Sequence, residues 1–425
     1  MLRAMRIGVV IPAAVGHLNA MTALARRLQT RGHDVVCFGV PDAAKGVAAA
    51  GLPFESFCEQ QFPLGYMAVM SEKLSKLAGD EAVAFTFQWI GDTCRAELDE
   101  TPGLLERIKV DGLVLDRIAG GVCCVAIAKG VPYVHISCTP LIDYSGVTPP
   151  WMFPWPHEDS EAARERNRQG VAGFRKAVAP MTDVMLRYVM ASGVAVDAED
   201  PAWSESKLAH ITQLPAALDF PANHLPAHRH NAGPFHDGKG REDVEFPWEQ
   251  MTGAPVIYAS MGTLQTGLTD VFRAILRATE REGYQVVLSV GPTTEPKSLA
   301  TARADTIVVQ RAPQLELLKR AALCVTHAGM NTTLEALAQG VPLVAIPVTN
   351  DQPGVAARIL ASGAGLFVPL KELTAETLKA MVDEVLEDKR FRERAEALQR
   401  EIALLDGLGM AAELIEKALA GRKQN

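Results

Sequence analysis

No apolar run in this chain approaches the roughly 20 residues a helix needs to cross a bilayer. No cluster of lysine and arginine marks a face for nucleic acid. The seven cysteines are odd in number, scattered and free of a Cys-x-x-Cys spacing, which argues against a disulfide framework and points to a reducing, cytoplasmic setting. Cys123 and Cys124 adjoin in an apolar helical stretch and read as buried thiols. No Asp-x-Asp motif is present, and no metal site is expected. Residues 1–11 lack a basic head and cleavage site and read as an early strand rather than a signal peptide. What remains is an ordinary soluble balance: 48% hydrophobic, 22% charged, net charge −8. At 425 residues the chain exceeds one ordinary core, so two domains are the default.

The pattern along the chain is strand, short turn, helix, repeated. Arg6 to Ile11 is a continuous apolar run of the kind found in sheets covered on both faces. A small-residue turn follows, then a helix over His17 to Gln29 with Leu18, Met21, Leu24, Ala25 and Leu28 at helical spacing. Further strands are expected at 35–40, 112–115 and 133–137. A second series is expected at 256–259, 285–290, 306–310, 323–326 and 343–346. The fold class is therefore α/β, with two doubly wound Rossmann-like domains facing across a cleft, where ligands sit beyond the carboxyl ends of the strands. The expected boundaries are 1–235, a Gly-, Pro- and charge-rich linker at 236–250, a second domain at 251–403, and a terminal amphipathic helix within 404–425. Residues 140–175 read as an irregular loop or lid. His224, His228, His230 and His236 lie in a Pro- and Gly-rich stretch. They read as a polar loop, although the first three could in principle hold a metal.

The most informative stretch runs from Arg311 to Gln352. An apolar strand stops at His327, Ala328 and Gly329 make a tight turn, and a helical pattern starts near Asn331. Such a helix start presents unpaired N–H groups and the positive end of the dipole, which favours anions. His327 can add a hydrogen bond. Asn331, Thr332 and Thr333 supply cap-type oxygens and donors. Glu335, one turn on, can accept hydrogen bonds from sugar hydroxyls. Together these residues describe a site for a phosphorylated sugar compound. In the first series, His17 follows the first strand and Asp116 ends the strand GLVLD. A neutral imidazole there can take a proton from a hydroxyl, and a carboxylate can hold its tautomer. Taken singly, His17 also fits a capping or core histidine, and Asp116 an N-cap. Ser260, Gly262 and Thr263 end the first strand of the second series and can approach phosphates. Thr263 fits a turn cap equally well.

Pro313-Gln314, His327-Ala328-Gly329, Asn331-Thr332, Glu335, Gly340-Val341-Pro342, Pro347 and Asp351-Gln352 together resemble the donor signature of UDP-sugar-dependent glycosyltransferases of the two-lobed GT-B fold. The resemblance implies that His327, Gly329 and the helix start hold the diphosphate. It implies that Glu335 holds the ribose and that Asp351 and Gln352 hold the transferred sugar. Arg311, beside Ala312, stands where plant members carry a base-stacking Trp; a guanidinium plane can also stack. His17 and Asp116 align with the family's catalytic pair. Pro140-Leu141, Pro149-Pro150, Pro154-Trp155, Gln213-Leu214-Pro215, Asp219-Phe220-Pro221, Gly233-Pro234-Phe235 and the run IPVTNDQPGVAARI resemble bacterial zeaxanthin (carotenoid) glucosyltransferases.

The implied activity is inverting transfer of glucose from UDP-glucose to a hydroxyl of a lipophilic carotenoid, flavonoid or similar aglycone. UDP-sugar is then a co-substrate and no cofactor is required. Phe62, Tyr66, Phe87, Trp89, Pro140, Trp151 and Trp155 are the candidate acceptor pocket, although core packing accounts for each of them singly. No nucleic-acid partner and no membrane insertion are expected, and a monomer is compatible with the sequence. Three rivals stand beside this reading: a TDP-sugar-dependent macrolide-type transferase, a nucleotide-sugar epimerase of the same architecture, and a non-catalytic nucleotide-sugar binder.

Overall fold

Segments such as IGVV and GLVL are apolar on every residue and bury every residue, which only a sheet covered on both faces permits. The computed structural model describes residues 3–221, 224–241, 243–264, 266–299, 301 and 303–421. Its strands are β1 (Arg6–Val10), β2 (Asp34–Gly39), β3 (Phe54–Ser56), β4 (Gly112–Asp116), β5 (Tyr133–Ser137), β6 (His210–Thr212), β7 (Arg229–Asn231), β8 (Val256–Ser260), β9 (Gln285–Ser289), β10 (Ile307–Val309), β11 (Ala321–Thr326), β12 (Leu343–Ala345) and β13 (Gly365–Phe367). The first seven form one sheet in the order β3-β2-β1-β4-β5-β6-β7, and the rest a second in the order β10-β9-β8-β11-β12-β13. Every pairing among them is parallel. In each sheet the winding direction reverses once, between β1 and β4 and between β8 and β11. The crevices at these two switch points are where such sheets bind ligands.

The helix Val15–Thr30 packs Leu18, Met21, Leu24, Ala25 and Leu28 onto the first sheet. The final helix Gly407–Ala420 joins the same core through Leu408, Ala411, Ala412, Ile415 and Leu419. Glu416, buried beneath it, takes both arms of Arg31 at 2.7 and 2.8 Å and a contact from His33 at 3.0 Å. The chain's last helix is thus fastened to its first sheet.

Two expectations need correction. The irregular stretch ends at Ser160, whose side chain accepts the Ala163 N–H and opens the long helix Glu161–Ala191. Before it, Asp143 gathers Ser145, Thr148 and His224, so this segment is pinned. The histidine-rich stretch is also partly strand. Arg229–Asn231 pairs with β6, while His224 meets Asp143 and His228 meets Glu205. Three-residue strands of mixed polarity carry no alternation from which to be read.

Candidate functional site

His17 stands in the first turn of the helix Val15–Thr30, just past β1, and Asp116 is the last residue of the adjoining β4. Both therefore lie at the first sheet's switch point. His17 Nδ1 is 2.7 Å from Asp116 Oδ2, with the imidazole 22% exposed and the carboxylate 1%. A carboxylate can only accept here, so Nδ1 carries the proton and Nε2 is left as the acceptor. Asp116 Oδ1 takes the Ile118 N–H at 3.1 Å and Oδ2 takes the Cys138 thiol at 3.4 Å. Burial pulls the imidazole toward the neutral form, but the charge and hydrogen bond of Asp116, with Asp351 behind them, leave its pKa raised above 6.5. Ligand atoms of His17, Asp116 and Cys138 all lie within 4.8 Å of one another, as a metal site would require. Burial and Asp116 hold the Cys138 thiol well above its ordinary range, so it donates a hydrogen bond rather than serving as a thiolate ligand.

Across the cleft, β11 runs into His327. Ala328 takes the left-handed conformation (φ 65°), so the strained residue of this turn is not the glycine. Gly329 is required for space. The His327 ring lies between Gly329 and Gly262, and a Cβ would sit 2.4 Å from the ring at Gly329 and 2.6 Å at Gly262. Burial lowers His327 to about 4, so it is neutral near pH 7. The helix Met330–Leu337 follows with Gly329 as its N-cap and no side-chain cap. The expectation that Asn331, Thr332 and Thr333 cap it is therefore wrong. Asn331 instead ties the lobes together, donating to the Gly16 carbonyl at 2.8 Å and accepting from Gln213 at 2.8 Å. Thr332 accepts from Gln314. The first N–H groups of this helix are thus not consumed by side chains, and they open on the cleft beside His327.

Glu335 is buried and held from two sides. Gln314 Nε2 donates to it at 2.7 Å, and Arg241, from the segment between the sheets, forms an ion pair with it. Ser260, Gly262, Thr263, Arg311, Ala312, Gln314 and Asp351 line the same cleft. Asp351 begins the helix Gln352–Ser362, and burial lifts it to about 6, with His17 opposing the rise. Gln352 turns its oxygen inward to the Val348 and Thr349 N–H groups.

The cleft encloses about 2410 Å³ and takes in both switch points. Phe62, Tyr66, Phe87, Trp89, Pro140 and Trp151 line it. Trp155 does not. Its ring stacks on Phe153 at 4.0 Å with Arg166 over it, which spends its apolar faces away from the cleft. Phe174, edge-on to Phe87 and Trp151, takes part instead. It went unnoticed because it lies in the helix read as loop.

Two facing, doubly wound parallel sheets with one shared cleft define a GT-B-type glycosyltransferase fold. A glycosyltransferase of kitacinnamycin superposes with a TM-score of 0.75 at 25% identity, covering 98% of this chain and 100% of that one. Residues 200–401 match the family described as UDP-glucoronosyl and UDP-glucosyl transferase. Zeaxanthin glucosyltransferase of Pantoea ananas is 28% identical over 96% of this chain and 95% of its own length. That of Pseudescherichia vulneris is 27% identical over 97% and 98%. The chain is a glycosyltransferase that works with a nucleotide-sugar donor and a small-molecule acceptor, and its residues 200–401 are similar to the UDP-glycosyltransferase family. The epimerase reading finds no support among these relatives. Among the described residues no helix is long and apolar enough to cross a membrane.

Proposed function

We propose that this enzyme transfers glucose from UDP-glucose to a hydroxyl of a lipophilic acceptor with inversion at the anomeric carbon. The observation that carries the reading is the His17–Asp116 pair at 2.7 Å on one lobe, placed so that Asp351 of the other lobe acts on the same imidazole. A reactant between them meets a proton acceptor on one side and a polar sugar subsite on the other. The acceptor hydroxyl gives its proton to His17 Nε2 as its oxygen attacks the anomeric carbon. The bond to the diphosphate breaks on the opposite face. Negative charge develops on the departing oxygen, where His327, the helix amides and the Ser260–Thr263 turn supply preorganised donors. Asp116 stabilises the imidazolium as it forms. Glu335 receives the ribose hydroxyls, which requires Arg241 to share or yield the carboxylate. Asp351 and Gln352 hold the sugar, and Arg311 stacks on the base.

The test is a mass-spectrometric screen of UDP-glucose, UDP-galactose and TDP-glucose against carotenoid and phenolic acceptors, with the product's anomeric configuration read by NMR. A β-glucoside from UDP-glucose is expected. A retained α-linkage would refute single displacement, and a TDP-glucose preference would favour the TDP-dependent alternative.

A further inference from the structure

Arg117 follows Asp116 at the end of β4 and lines the acceptor side of the cleft. Tyr144, Cys123 and Glu205 lie near enough to favour its charged form, but among the described residues no carboxylate forms a salt bridge with it. The acids around it are engaged elsewhere. Glu205 is buried and takes both arms of Arg229 at 2.7 and 2.6 Å, and His228 at 3.0 Å. Asp116 is held by His17 and Asp143 by His224. Burial lifts Glu97, which also lines the cleft, to about 8, so it is neutral near pH 7. His210, beside Glu205, is pushed toward its neutral form by burial. One positive charge is thus left without an anionic partner in a largely desolvated pocket, a costly arrangement unless something supplies that partner. The wall also carries the aromatic side chains Phe62, Phe87, Trp89 and Phe174. Exposed charges of both signs lie farther out in the cleft, Arg175, Lys176 and Asp183 on the helix Glu161–Ala191 and Glu72 on the other side.

We infer that the acceptor is an apolar hydroxylated acid whose carboxylate pairs with Arg117 while its hydroxyl is presented to His17. The inference rests on the acceptor-site reading above. A planar guanidinium matches a carboxylate in a two-point contact and strengthens in a water-poor pocket.

Two matched pairs test this: 4-hydroxycinnamic acid against its methyl ester, and 16-hydroxyhexadecanoic acid against its methyl ester, each with UDP-glucose. Binding is read separately, by quenching of the cleft's Trp89, Trp151 and Trp203. The acids are expected to exceed their esters at least about tenfold in affinity and in kcat/KM, with the difference residing in KM. In Arg117→Gln the acid-to-ester ratio should fall toward one, and in Arg117→Lys it should be partly kept, with UDP titration confirming that each variant is folded. Equal binding of acid and ester by the wild-type enzyme, or the same ratio in Arg117→Gln, overturns the inference. If neutral acceptors are glucosylated without any preference for acids, only this inference fails. If acids bind in an Arg117-dependent way but no nucleotide sugar is turned over, the donor reading fails and this one stands.

Discussion

Asp116→Asn removes one charge and nearly no volume, so it isolates what the carboxylate does for His17. The contact is 2.7 Å long and the carboxylate is 1% exposed, so water screens it little. A hydrogen bond to a charged partner is worth about 1.5–3 kcal/mol, and each ~1.4 kcal/mol is tenfold in rate. If that stabilisation is realised only as the imidazolium forms, kcat should fall by about 10- to 10²-fold. The figure is a floor, because the new amide can turn its NH₂ toward Nδ1 and force the proton onto Nε2. The pH profile gives a second readout. A base must be unprotonated, so activity rises with pH through the pKa of His17, which lies above 6.5 in the wild-type enzyme. Without the negative charge, burial is no longer outweighed, and the acid limb should move to lower pH while the plateau drops. Asp351 titrates near 6 and would produce its own limb there. The assay is UDP release from pH 5 to 9 with saturating donor. An unchanged plateau, or a limb that stays where it was, would refute the pairing of base and orienting acid.

His17→Ala should lower kcat by about 10²–10⁴-fold with UDP affinity nearly unchanged, measured by calorimetry; equal activity removes the base assignment. Glu335→Ala should weaken UDP binding by about tenfold, the worth of one or two hydrogen bonds; an unaltered Kd refutes the ribose role. Gly329→Ala places a Cβ 2.4 Å from the His327 ring, and the ring's displacement should cost about 1–3 kcal/mol, seen as weaker UDP binding. Arg358→Met breaks the buried 2.7 Å pair with Asp219 between the lobes and should destabilise by about 3–5 kcal/mol, read as a fall in Tm; an unchanged Tm would show that the pair does not join them.

The site was legible where chemistry and position coincide. Apolar runs ending in His327 and Asp116 mark both a strand and its carboxyl end, so motif and topology supported each other. The parallel sheets followed from the repeated strand–helix spacing. Legibility failed where a residue's role depends on a distant partner. Asn331 looks like a cap from its neighbours, yet it bonds Gly16 and Gln213, far away in the chain. Trp155 looks like a pocket wall from its greasy, proline-rich surroundings, yet stacks on Phe153. Arg241 lay in a stretch read only as linker, yet it pairs with Glu335. The short strands β3, β6 and β7 were missed because three residues of mixed polarity show neither a period nor an apolar run, whereas the equally short β10 and β12 are apolar throughout.

The two histidines at the cleft show how one residue type can be given opposite characters. His17 and His327 each sit just past a central strand at a switch point, and burial pushes both toward the neutral form. For His17, Asp116 and Asp351 more than cancel that push, which raises its affinity for a proton to the range a hydroxyl-activating base needs. Among the described residues no carboxylate acts on His327, which stays near 4, wedged between glycines that leave it no room to swing. A histidine that took up protons there would compete for the proton the other must accept, and its charge would grip the donor diphosphate before transfer as firmly as after it. A neutral ring beside helix amides favours developing charge without that ground-state grip. Environments that push two like groups apart are how a single fold separates proton transfer from leaving-group stabilisation, and on the proposed reading this separation is what makes transfer outrun simple donor binding.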